Sequence, residues 1–220
     1  DGETVLLERP EIRPFRVPTI NLESIICFGN TSCTTPLLAF CAQRGISISW
    51  LTKTGRYMGS FHGPISGNIL LRKEQYRRSD DRVKAAKIAQ SVVTGKILNS
   101  RTVVLRAARQ CEGEVQLRLK RHADELRDSL QVLRQPLTLE VLRGIEGDAA
   151  KCYFQCMDDM VLANKPEMGF TRRSRRPPLD PANAALSFAY TLLVHDVSSA
   201  LQSVGLDPAA GFLHADRPGR

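Results

Sequence analysis

With 220 residues, 42% hydrophobic and 25% charged, the chain can bury a sizeable core and is too apolar for a disordered segment. Its net charge of +8 favours an anionic partner, and a merely basic globular protein is the plain alternative. The six cysteines show no C-x-x-C pair and no matching histidine spacing, which argues against a structural zinc site and fits reduced thiols in a cytoplasm. No signal peptide, lipidation motif or apolar run of membrane-spanning length is expected, so no membrane partner is expected either. The chain starts at Asp1 rather than methionine and stops within a motif, so it reads as a piece of something longer.

Residues 1–66 have strand character. Short apolar runs, Thr4-Val5-Leu6-Leu7, Ser24-Ile25-Ile26-Cys27-Phe28 and Ile46-Ser47-Ile48-Ser49-Trp50, alternate with Gly, Pro and Asn breaks. One helix is expected from Thr35 to Arg44, stopped by Gly45. Lys53-Thr54-Gly55-Arg56 reads as a hairpin turn. After "HGPISGN" at 62–68 the period changes: 69–78 suggests a short helix and "RRSDD" at 77–81 a polar connector. Ala89, Val93, Ile97, Ser100, Val104, Ala108 and Cys111 then recur every three or four residues, the pattern of one long amphipathic helix. Further helices are expected over about 114–134, 138–163 and 181–204. The last has Asp180 as cap, Pro181 in its first turn and Gly205 just past its end. Cys152 and Cys156, four apart, share one helix face as small buried residues. The implied fold class is α+β: a small N-terminal β domain over 1–78, a linker at 79–84 and a larger helical domain over 85–220.

Three features carry chemistry. In "LRGIEGDAA" (142–150), Leu142, Glu146, Ala149 and Tyr153 share a stripe, so Glu146 sits at the margin of an apolar face. A carboxylate there needs a hydrogen bond or a cation, whereas a solvated glutamate near a helix start is the bland alternative. Gly144 and Gly147 flank it, each costing the helix about 1 kcal/mol against alanine, a cost that often permits close backbone approach. His214 in "GFLHADRPGR" is the second feature, and alone a histidine after a loop is more often structural; His62, His122 and His195 carry little signal. Taken together, glutamate and imidazole with no thiolate suit a Mg²⁺- or Mn²⁺-type ion better than zinc. The third is "TRRSRRPPLDPAN" (171–183), whose Arg172, Arg173, Arg175 and Arg176 match phosphate oxygens, unless the loop is simply a solvated charged one. A second basic cluster, Arg72, Lys73, Arg77, Arg78, Arg82, Lys84 and Lys87, covers the junction of the two modules.

"LRGIEGDAAKCYF", "RRSRRPPLDPANAALSFAYTLL" and "VGLDPAAGFLHADRPGR", in this order, resemble the CRISPR-associated spacer-acquisition integrases, the Cas-one family. "LESIICFGN", "CAQRGISISWLTKTGRYMG", "GPISGNILLRKEQYRRSDD" and "VVTGKILNSRTVVLRAARQ" extend the resemblance over nearly the whole chain. It implies a β domain that mediates homodimerisation and a helical domain with a divalent-metal site. By motif match, Glu146 and His214 would be two metal ligands and catalytic residues. The family's third ligand is an acid on a helix after the His-x-x-x-Pro-Gly stretch, a position past residue 220 here. Asp216 falls inside the loop rather than on that helix, so it is not assigned as a ligand, and Tyr190 resembles a tyrosine placed near DNA rather than a catalytic one. The implied partners are prespacer and repeat-array DNA, a second copy of the chain and the small Cas-two adaptation protein. The implied activity is metal-dependent integration or cleavage of DNA by transesterification or hydrolysis. Two alternatives stand beside it: a catalytically inactive DNA-binding and dimerisation fragment, and a basic helical nucleic-acid binder without a reaction.

Overall fold

The structure, a computed structural model, describes residues 3–10, 12–63 and 69–214. Two small sheets open the chain. Strands β1 (Thr4–Arg9) and β2 (Ile12–Pro18) form an antiparallel ribbon with Val5 opposite Val17. The sequence pattern missed β2 because Pro14 and Pro18 interrupt its apolar run; a two-stranded ribbon leaves an open edge where proline is tolerated. In the second sheet β3 (Ser24–Phe28) lies parallel to β4 (Ser47–Leu51), which pairs antiparallel with β5 (Tyr57–Phe61).

The parallel pair requires a crossover, and helix α1 (Thr35–Arg44) supplies it. Thr34 caps its start by accepting from the Leu37 amide, and Gly45 ends it in the left-handed region at φ 69°. The expected hairpin turn joins β4 to β5, with Gly55 at φ 83° donating its N–H to the Thr52 carbonyl at 2.9 Å. Cys27, Cys41, Ile46 and Ile48 form the buried centre of this module, with Leu37, Phe40, Trp50 and Phe61 packed against it.

Helices follow: α2 (Ile69–Asp80), α3 (Arg82–Ala108), α4 (Gly113–Val132), α5 (Leu139–Gln155), short α6 (Met157–Met160) and α7 (Lys165–Met168), and α8 (Pro181–Ser203). The predicted stripe on α3 is buried except at Ser100, which is half-buried, and Cys111, which falls past the helix end at Ala108. Ala89, Val93, Ile97, Val104 and Ala108 pack with Leu119, Ala123 and Leu126 of α4 and Leu142, Ala149 and Cys152 of α5. The fold class is therefore α+β, short N-terminal strands followed by a mainly helical region.

Two expectations at boundaries need correction. "RRSDD" is not a connector: α2 continues through Asp80, and the Asp81 side chain caps α3 by accepting from the amides of Val83 and Lys84 at 3.0 and 3.1 Å. The predicted 138–163 helix stops at Gln155, where Cys156 leaves helical geometry and α6 starts afresh.

Two compact units emerge from the contacts: Asp1–Leu71 with Phe188–Pro208, and Arg72–Ser187 with Ala209–Arg220. Residues 188–208 thus keep company with the strand module, through pairs such as Phe28–Phe188 and Tyr57–His195 (ring centroids 5.6 and 4.3 Å apart). Contrary to the sequence expectation, α8 is long and apolar enough to cross a membrane by length and composition, its best window having a mean hydropathy of 1.2. Its stretch without lysine or arginine explains this, and none of the apolar window is buried among the described residues.

Candidate functional site

Glu146 lies on α5, which is started by the Thr138 cap. Its side chain is 23% exposed, consistent with a carboxylate at the edge of the buried stripe. The counter-charge is Lys96 of α3, whose Nζ ion-pairs with Glu146 Oε1. Lys96 carried no signal in the sequence beyond its place in the middle of a long helix. Gly144 and Gly147 face open space, for a Cβ built on either meets no heavy atom within 4 Å. Among the described residues no packing demands them; they leave bare backbone on both sides of the carboxylate.

His214 is exposed, and its position is set through its predecessors. Phe212 and Leu213 pack against the helical core, and Arg143 Nη1 donates to the Leu213 carbonyl at 2.9 Å. Arg143 is itself steadied by Glu140 Oε1 at 3.1 Å. Arg143 and Glu146 are three apart on α5 and so share a face, which ties the residue before His214 to the helix one turn from Glu146. Among the described residues no hydrogen bond or ion pair joins the side chains of Glu146 and His214. Asp216 lies outside the described residues.

The four loop arginines separate into two kinds. Arg172, Arg175 and Arg176 are exposed. Arg173 is half-buried and spent within the chain: its Nη1 donates to the Ser174 carbonyl at 2.7 Å and to Asn183 Oδ1 at 2.8 Å, and its guanidinium lies 5.9 Å from the Phe154 ring centre. Asn183, fully buried, is the knot of the loop. Its Oδ1 also accepts from the Ser174 amide at 2.9 Å, and its Nδ2 donates to the Arg172 carbonyl and Asp180 Oδ2 at 2.8 and 2.7 Å. A buried amide placed three residues after a cap Asp is the sequence signal that could have found it. In the junction cluster, Arg77 and Arg78 pair with Glu74, Lys84 with Asp81, and Arg82 with Glu140, so part of that charge is already compensated.

A second set of ligand-type side chains lies on α4 and α5: His122, Glu125 and Cys152, with donor atoms all within 4.8 Å of one another. Burial first, then the hydrogen bond to Glu125, pushes the Cys152 thiol up to about 12.

The family profile described as CRISPR associated protein Cas1 matches residues 1–220. A CRISPR-associated endonuclease Cas1 of Chlorobaculum tepidum is 46% identical over 224 residues, and one of Moorella thermoacetica 43% over 221; each alignment covers the whole chain and 64% of the relative. Among solved structures, a Cas1 protein from Thermotoga maritima superposes with a TM-score of 0.73 at 25% identity, covering the whole chain and 66% of the other. The chain thus spans less than two thirds of the length of these curated relatives.

Proposed function

The chain belongs to the CRISPR-associated Cas1 family, and on that premise we propose that it supplies the DNA-binding surface and two metal ligands of a divalent-metal-dependent DNA endonuclease and integrase of CRISPR adaptation. The observation that carries the assignment is the Arg143 tether, which holds the backbone beside His214 to α5 within one turn of Glu146. The donor set fits Mg²⁺ or Mn²⁺: a carboxylate oxygen and an imidazole nitrogen, with no sulfur, at a carboxylate that already faces a cation. When bound, such an ion polarises a phosphate and stabilises charge on the attacking and leaving oxygens.

The chain's own groups do the rest. Glu146 and His214 would hold the ion, and Lys96 ion-pairs with Glu146. Gly144 and Gly147 leave room for a phosphodiester to approach the helix backbone. Arg172, Arg175 and Arg176 bind flanking phosphates. Arg173 holds that loop in shape rather than meeting DNA itself. In integration the incoming 3′-oxygen forms a bond to the target phosphorus as the bond to the target's own 3′-oxygen breaks; with water as nucleophile the same exchange is hydrolysis.

Partner assignments follow the same premise. The likeness to a partial Cas6-RT-Cas1–Cas2 complex, at a TM-score of 0.65 and 25% identity, supports a Cas2-type partner here. Homodimerisation through the strand module is supported by its exposed apolar side chains, Leu7, Ile12, Phe15 and Ile20 among them. The ion pair between Lys96 and Glu146 favours a second reading, a DNA-binding chain without catalysis.

Metal removal separates the two. A chain completed with the residues its relatives have outside the matched region should cleave branched DNA with Mn²⁺ or Mg²⁺, stop on chelation and resume on re-addition. Cleavage unaffected by chelation contradicts the metal assignment, and none under any metal condition supports the binding-only reading.

A further inference from the structure

We propose that His122, Glu125 and Cys152 form a second metal site, selective for Zn²⁺-type borderline ions and separate from the Glu146 site. The sequence offers no C-x-x-C pair and no matching histidine spacing for a structural zinc site; the fold instead brings mixed ligands together from two helices. His122 and Glu125 stand three apart on α4 and therefore share a face, and Cys152 comes from the last turns of α5.

Three single atoms converge. Cys152 Sγ lies 3.4 Å from His122 Nδ1 and 3.3 Å from Glu125 Oε2, and those two are 3.4 Å from each other. Bonds of about 2.0 Å to nitrogen and oxygen and 2.3 Å to sulfur, set tetrahedrally, put the ligand atoms about 3.3–3.6 Å apart. The observed triangle has those edges, so an ion seated slightly out of its plane meets all three ligands without moving a helix.

The chemistry also selects the ion. A thiolate and an imidazole favour Zn²⁺ over Mg²⁺ or Mn²⁺, and thiolate plus carboxylate balance its two positive charges. Binding expels the Cys152 proton to solvent as the Zn–S bond forms, with no change of oxidation state. Cys152 is 8% exposed whereas the Glu125 side chain is 52% exposed, so the sulfur side is enclosed and the fourth position opens toward water. The nearby carboxylate of Asp159 is already held by Arg118 through two hydrogen bonds of 3.0 and 2.8 Å, and Cys156 donates to the Tyr153 carbonyl, so neither is needed as a ligand. The site would clamp α4 to α5, the helix that also carries Glu146.

The test is a Co²⁺ titration of the chelator-stripped, reduced protein, followed by Zn²⁺ competition. The expected result is a thiolate-to-cobalt charge-transfer band saturating at one ion per chain and abolished by stoichiometric Zn²⁺. Cys152→Ser should remove the band, and Glu125→Gln, an exposed and near-isosteric change, should weaken binding about tenfold or more. Cys33→Ser and Cys111→Ser should leave it intact. Absence of the band in the folded wild-type protein, its persistence in Cys152→Ser, or unchanged affinity in Glu125→Gln overturns the proposal.

Discussion

Asn183 shows how one buried side chain organises an arginine-rich loop. It has no exposed surface, and its amide binds the loop at Arg172, Arg173 and Ser174 and the helix cap at Asp180. Truncation strands those partners, so Asn183→Ala should cost about 2–3 kcal/mol in urea unfolding, against under about 0.5 kcal/mol for Arg175→Ala at the exposed rim. DNA binding should sort the same arginines: replacing Arg172, Arg175 and Arg176 together should lower affinity for all sequences and flatten the salt dependence by about one phosphate contact each. An unchanged salt slope counts against the loop as a DNA contact.

Asp159 supplies a pH dependence at the same scale. The Arg118 guanidinium, through its hydrogen bonds and then its charge, holds the carboxyl below its ordinary value. A carboxylate with a lowered folded-state value stabilises above its unfolded value of about 3.9, and loses that contribution as pH falls through the folded-state value. Asp159→Asn should therefore lower the melting temperature at pH 7, and the gap to wild type should close below about pH 4. A gap that persists unchanged into acid would show that the carboxylate's charge is not what matters.

At the scale of elements, periodicity was a good guide where one face is buried and a poor one where it is not. The α3 stripe of Ala89, Val93, Ile97, Val104 and Ala108 was legible because a long helix packed on one side repeats every three to four residues. α1 was legible from Gly45 at its C-terminal end, whereas the Thr34 cap came from the fold. β2 was not, because its side chains are nearly all exposed and no alternation marks it. Leu126 tests the packing claim directly: it is fully buried in the three-helix core, so Leu126→Ala should cost about 2–5 kcal/mol. Leu117→Ala, on the same helix but 62% exposed, should stay within about 0.5 kcal/mol. Equal costs at the two positions would mean that α4 is not packed on the face described.

For the whole molecule, motifs in the sequence pointed to the family, while the company each motif keeps had to come from the fold. Glu146 and His214 could be picked out as residue types, yet Lys96 and the Arg143 tether depend on helices and loops meeting far along the chain, which no local pattern records. The placement of residues 188–208 with the strand module was hidden for the same reason, since α8 reads as one uninterrupted helix. Assembly is testable at this scale. Leu7→Asp with Phe15→Asp puts charge on the exposed apolar ribbon and should turn a homodimer into a monomer by light scattering, and a dimer that survives both changes uses another surface.

The central claim is that Glu146 serves chemistry rather than DNA affinity, and strand transfer measured alongside binding tests it most directly. In a chain completed with the residues its relatives have outside the matched region, Glu146→Ala should leave DNA affinity within about twofold, since it removes a negative charge from the proposed phosphate-facing surface. The same substitution should reduce metal-dependent joining of a 3′-hydroxyl DNA end to a repeat duplex by about a hundredfold or more. Near-normal joining by Glu146→Ala would contradict the account.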